Sequence, residues 1–102
     1  MEFNVVYILT IYDDNRENFT SGHRETKLPF APISGLEVLN NGVGFGPIKM
    51  VRWDENENLF RCYLEYEVEP LHIDDDIGFQ IEKAKMGGFK GFKKIYETPT
   101  NS

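Results

Sequence analysis

Ile48-Lys49-Met50-Val51-Arg52-Trp53, then Asp54-Glu55-Asn56-Glu57-Asn58, then Leu59-Phe60-Arg61-Cys62-Tyr63-Leu64-Glu65-Tyr66-Glu67-Val68 is the stretch that decides the fold. In its last part Phe60, Cys62, Leu64, Tyr66 and Val68 alternate with Arg61, Tyr63, Glu65, Glu67 and Glu69. Successive side chains of a strand point to opposite faces, so a period of two predicts one buried and one wet face. The polar residues between the two apolar runs are of the kind that close a hairpin. On the first strand Val51 and Trp53 share the core face, with Lys49 aligned with them, and Ile48 and Met50 then need cover on the other side.

Upstream, Phe3 to Tyr12 is mostly β-branched or aromatic, with Phe3, Val5, Tyr7, Leu9 and Ile11 on one face and Val6, Ile8 and Tyr12 on the other. Both faces are apolar, which predicts a central strand. Asp13, Asp14, Asn15 and Arg16 make a polar turn, because Asp and Asn side chains bond their own backbone there. Phe19 to Lys27 is polar and reads as an edge strand. Pro29 and Pro32 enforce an extended path, which Leu28, Phe30 and Ile33 are expected to anchor to the core. Gly35 to Leu39 suits a short strand with Leu36 and Val38 opposite to Glu37, and Asn40-Asn41-Gly42 is a strong tight-turn signal.

Downstream, two readings of residues 77–86 compete. Asp76 as N-cap, the spacing of Ile77, Ile81 and Ala84, Lys83 and Lys85 in a last turn and Gly87 as C-cap predict a helix. Gly78 and the alternation Ile77, Phe79, Ile81 predict a strand that Gly87-Gly88 turns into a final strand, Phe92 to Glu97, and this second reading is slightly favoured. The tail 98–102 is expected to fray.

The expected fold is thus mainly β: a small antiparallel barrel or roll with at most one short helix, in one domain spanning 1–97, the alternative being a two-layer α+β sheet. A chain of 102 residues is long enough to bury a core without disulfides or a structural metal. Cys62 is the single cysteine, so no internal disulfide forms and a reducing compartment fits best. No run approaches the roughly 18 apolar residues of a membrane span, and no secretory leader is visible at the N-terminus. The expectation is a soluble, cytoplasmic protein.

Charge narrows function. The chain carries 11 basic and 17 acidic residues, a net of -6, and such a surface repels phosphate backbones, so nucleic acid is not an expected partner. Residues 54–76 hold nine acids against Arg61 alone, whereas residues 77–102 hold five lysines against two glutamates. Glu65, Glu67 and Glu69 point one way from their strand at intervals of about 7 Å. Together with Asp54, Glu55 and Glu57 they form the candidate partner-binding set, directed at a basic protein, in the manner of an inhibitor or immunity protein. No catalytic constellation and no cofactor are read from the sequence.

Weaker signals have structural explanations of their own. Asp54, Asn56, Asn58 and Glu65 copy positions one, three, five and twelve of an EF-hand loop, but Leu59 stands where that loop needs glycine. Asp74-Asp75-Asp76 reads as capping or solvated. Gly42-x-Gly44-x-Gly46-Pro47 has the wrong spacing for a dinucleotide loop and reads as turn glycines. Cys62 with His72 is chemically able to form a thiolate pair, and Cys62 on the core face argues against it; His23 has no ligand partner at zinc spacing. Phe89 and Phe92 among Lys90, Lys93 and Lys94 suit stacking on a base or gripping an acidic peptide. Two rival functions complete the set: a ligand pocket in a barrel mouth lined by Tyr7, Tyr12, Trp53, Tyr63 and Tyr66, and a structural homodimer pairing exposed strand edges.

Overall fold

The computed structural model describes residues 2–13, 16–68, 76–93 and 95–97. Along the chain run β1 (Phe3–Tyr12), β2 (Asn18–Leu28), β3 (Met50–Asp54), β4 (Leu59–Glu67), α1 (Ile77–Met86) and β5 (Tyr96–Glu97). The strands form one sheet in the order β3-β4-β1-β2-β5. β1 is central, as two apolar faces require. β2 runs antiparallel to it from Phe3↔Leu28 to Tyr12↔Phe19, and β3 and β4 make the expected hairpin, from Met50↔Tyr63 to Asp54↔Leu59.

The protein is therefore mainly β with one short helix, and the sheet is an open roll rather than a closed barrel. The antiparallel expectation needs one correction: β4 lies parallel to β1, from Val5↔Phe60 to Tyr12↔Glu67. Parallel neighbours need a long connection, and residues 29–49 together with the β3 hairpin arm supply it. Alternation within a strand says which residues share a face and nothing about the direction of the neighbouring strand.

One face of the sheet is covered. Val5, Tyr7, Leu9 and Ile11 of β1 and Cys62 and Leu64 of β4 pack there against Phe45 and Ile48 of the long connection, Ile77 and Ala84 of α1, and Phe89. β2 leaves room for this cover at Gly22, the cross-strand partner of Leu9. The Phe92 ring lies where a Cβ on Gly22 would stand.

Residues 77–86 are helical, which corrects the strand reading. Asp76 Oδ1 accepts the Phe79 N–H at 2.7 Å, the N-cap bond, and Lys83 and Lys85 occupy the last turn before Gly87. Capping satisfies backbone donors that a short strand would have had to place elsewhere, and Ile77, Gln80 and Ala84 then fall on one buried stripe. The final strand is correspondingly short, two residues paired with Asn18 and Phe19.

Smaller departures have local causes. Leu36 and Val38 pack on the core while Glu37 is exposed, as alternation predicts, but among the described residues no strand pairs with them, the Leu36 carbonyl instead accepting from the Ile48 N–H at 2.8 Å. Phe30 and Ile33 are exposed, and Pro32 is the buried residue of that path. Ile48 faces the core rather than the opposite side. The Lys49 N–H donates to the carbonyl of Tyr63, the residue that Met50 faces, so two residues stand opposite one and the parity shifts. The Asn40-Asn41-Gly42 turn forms as read: Asn40 and Val43 exchange backbone bonds of 3.0 and 2.9 Å, with Asn41 and Gly42 at φ 54° and 75°.

Candidate functional site

The other face of the sheet has no element of the described chain packed over it. It carries Val6, Ile8, Thr10 and Tyr12 from β1, aligned with Arg61, Tyr63, Glu65 and Glu67 from β4. Met50 and Arg52 extend it on β3, and Glu25, His23, Ser21 and Phe19 on β2. Val6 is buried, Tyr63 and Ile8 at its middle are partly buried, and Met50 at the edge is 48% exposed.

The acidic candidates do not form one patch. Glu65 and Glu67 stand side by side at one end of β4, while Asp54, Glu55 and Glu57 sit in and beside the β3–β4 turn. Six residues of strand, about 20 Å, separate Leu59 from Glu65, and Arg61, Arg52 and Tyr63 lie between. Glu69 falls outside the described residues. The same distance keeps Glu65 from joining Asp54 in a calcium loop. Asp54 is engaged locally: Oδ1 accepts the Glu57 N–H at 3.1 Å and Oδ2 accepts Arg61 Nε at 3.0 Å. The Glu57 N–H and the Arg61 guanidinium hold its carboxyl below the usual carboxylate range.

Glu65 and Glu67 together grip an arginine. Arg16, held at φ 60° in the β1–β2 turn, brings its guanidinium to 3.7 Å from Glu65 and 3.6 Å from Glu67. The same guanidinium lies 4.3 Å from the centre of the Tyr12 ring. Two carboxylates beside an aromatic face make an arrangement suited to a flat cation. The turn that delivers Arg16 is fastened by Asp13, whose Oδ2 accepts both the backbone and side-chain N–H of Asn18 at 3.0 and 2.8 Å.

The five aromatics read as a pocket are divided by strand parity. Tyr7 and Tyr66 point to the covered side, and Trp53 shares it beyond the reach of α1, against Phe60 at 4.8 Å between ring centres and 50% exposed. Tyr12 and Tyr63 point to the open side, where the Arg52 guanidinium lies 5.7 Å from the Tyr63 ring. No closed barrel exists to gather them.

Phe89 and Phe92 are not free to stack on a partner. Phe89 is buried and Phe92 packs against the core, because the backbone of residue 90 is stitched to His23 of β2 by bonds of 2.8 and 2.9 Å. Lys90 and Lys93 of that segment are exposed, and Lys94 falls outside the described residues. Gly42 and Gly46 adopt the positive φ of turn residues, in keeping with the turn reading. Cys62 is fully buried, and burial pushes its thiol up to about 11, so it stays protonated and is a poor nucleophile near neutral pH. His72, Asp74 and Asp75 lie outside the described residues.

One polar centre escaped the sequence reading. Arg24, the cross-strand partner of Tyr7, points to the covered side with its guanidinium 4.8 Å from the Tyr7 ring and 5.8 Å from the Phe89 ring. The signal was weak because β2 is polar throughout, so its inward parity cannot be read until its register against β1 is known. Burial raises the Tyr7 hydroxyl above its ordinary value, with Arg24 opposing. Compared with known proteins, the chain matches no family model, no curated protein and no solved structure.

Proposed function

We propose that this chain is a non-enzymatic protein-binding module that meets a basic partner through the open face of its sheet, with Glu65 and Glu67 receiving an arginine or lysine. The observation that supports this reading is the grip of those two carboxylates and the Tyr12 ring on the guanidinium of Arg16. Exposed pairs of this kind are worth little individually, so a partner cation that brings further contacts can take the place of Arg16. The acidic turn at Glu55 and Glu57 adds long-range attraction at the far end of β4. An inhibitor or immunity role, with the acidic face against a cationic site, is the form of this function that best suits the charge.

The test is capture from lysate of the source cells, eluted along a salt gradient. A basic protein released by salt is expected, since exposed charge pairs weaken as the Debye length shrinks. The double variant Glu65→Lys, Glu67→Lys, folded and with unchanged melting, is expected to lose it. Equal capture by that variant would overturn the proposal.

A second reading draws on β3, which has a partner strand on one side only among the described residues. Met50 and Trp53 stand half-exposed on this strand, and an unpaired edge is a template for a second copy. Lys49 and Arg52 blunt that edge by like-charge repulsion. Sedimentation showing a concentration-independent monomer would dispose of the dimer.

A further inference from the structure

The covered side of the sheet encloses a small void lined by Tyr7, Arg24, Asn40, Val43, Phe45 and Phe89, among others. Tyr7 is 1% exposed, and among the described residues its hydroxyl has no hydrogen-bond partner. The buried Nε–H of Arg24 is likewise without one. Arginine offers donors only, and a tyrosine hydroxyl has one donor to place. Two unsatisfied donors therefore border the same space.

Charge decides what suits that space. Among the described residues no carboxylate lies within ion-pair distance of Arg24, whose guanidinium has only the Tyr7 and Phe89 rings against its faces. Arg24 is partly buried, and ring quadrupoles compensate its charge in part, whereas an anion compensates it fully. The carbonyls at the C-terminus of α1 would repel an anion, but they are turned to other donors. Asn40 Nδ2 donates to the Gly87 carbonyl at 2.7 Å and Asn41 Nδ2 to the Met86 carbonyl at 3.3 Å. The void has room for a single monatomic occupant, which excludes sulfate and phosphate.

We propose that this void is a site for one monovalent, halide-sized anion, held between Tyr7 Oη and Arg24 Nε. The bound anion neutralises Arg24 and fastens β1 and β2 to the Asn40–Val43 turn and to the segment that follows α1. Salt then acts on this protein in two opposite ways: it screens the exposed acids and it fills the buried site.

The experiment compares thermal melting in sodium bromide with melting in sodium gluconate at matched ionic strength, for the wild-type chain and for Tyr7→Phe, which removes one donor and keeps the ring. Above its Kd, each tenfold rise in bromide is expected to raise the wild-type Tm by roughly 5–10 °C relative to gluconate. The increment is expected to fall by more than half in Tyr7→Phe and to vanish in Arg24→Met. General salt effects act alike on all three chains and cancel in the comparison. Should Arg24→Met fail to fold, anomalous scattering from crystals grown in bromide supplies the second readout, with a peak expected between Tyr7 Oη and Arg24 Nε. Water density at that position, or equal bromide increments in wild type and Tyr7→Phe, overturns the proposal.

Discussion

The two faces of this sheet are built from the same strands by alternate residues, yet they do different things. On the covered side Leu9, Ile11 and Cys62 are wholly inaccessible. On the open side their immediate neighbours Ile8, Thr10 and Tyr63 are only partly buried and flanked by Glu65, Arg61 and Arg52. Covering one face with a helix and a long connection concentrates the stabilising burial there. The other face is left free to carry charge and aromatic surface that folding does not require.

Truncation is the sharpest way to break this contrast. Leu9→Ala removes a fully buried side chain from the centre of the covered face and is expected to cost about 2–5 kcal/mol in denaturant unfolding. Ile8→Ala, one residue along the same strand, is expected to cost roughly 1 kcal/mol. Equal losses would mean that the open face is buried in solution by a second copy.

Alkaline titration tests the covered face through Cys62. Its thiol rises from 9.0 to about 11 in the folded chain. Above pH 9 the unfolded chain therefore gives up its proton first, and stability falls until about pH 11. The integrated loss is about 3 kcal/mol. Tyr7, also raised by burial, adds to the fall only above pH 10. Cys62→Ala is expected to flatten the curve between pH 9 and 10; an unchanged slope there would show that the thiol is not the group responsible.

The cover itself can be loosened. Asp76→Ala deletes the acceptor of the Phe79 N–H and is expected to destabilise by about 1 kcal/mol, with circular dichroism reporting the loss of helix. The smallest effect belongs to the open face: Glu65→Gln with Glu67→Gln, which releases Arg16, is expected to change stability by roughly 0.5 kcal/mol or less. A larger loss would make the Arg16 cluster a structural clasp rather than a surface awaiting a partner.

How much of this was legible beforehand follows from the range of each signal. The β3–β4 hairpin, the central β1 strand and the Asn-Asn-Gly turn rest on alternation and turn chemistry, which act between near neighbours, and the residues alone determine them. At 77–86 the sequence leans slightly to a strand where the structure has a helix, because a ten-residue segment with Gly78 near its start has little intrinsic preference. Packing of Ile77 and Ala84 against the sheet tips the balance. Phe89 and Phe92 looked like exposed aromatics until the pairing of residue 90 with His23 laid them onto the core.

The acidic residues show the same division of labour. Sequence set the parity of Glu65 and Glu67, and so their emergence on one wet face. Only the tertiary structure separated them from Asp54, Glu55 and Glu57, joined them to Arg16 and Tyr12, and split five candidate pocket aromatics between two faces. The parallel register of β1 and β4 and the placing of Arg24 beside Tyr7 on the covered side are likewise tertiary outcomes. Local spacing specifies which way a side chain leaves its strand, and what it meets there depends on strands and loops tens of residues away.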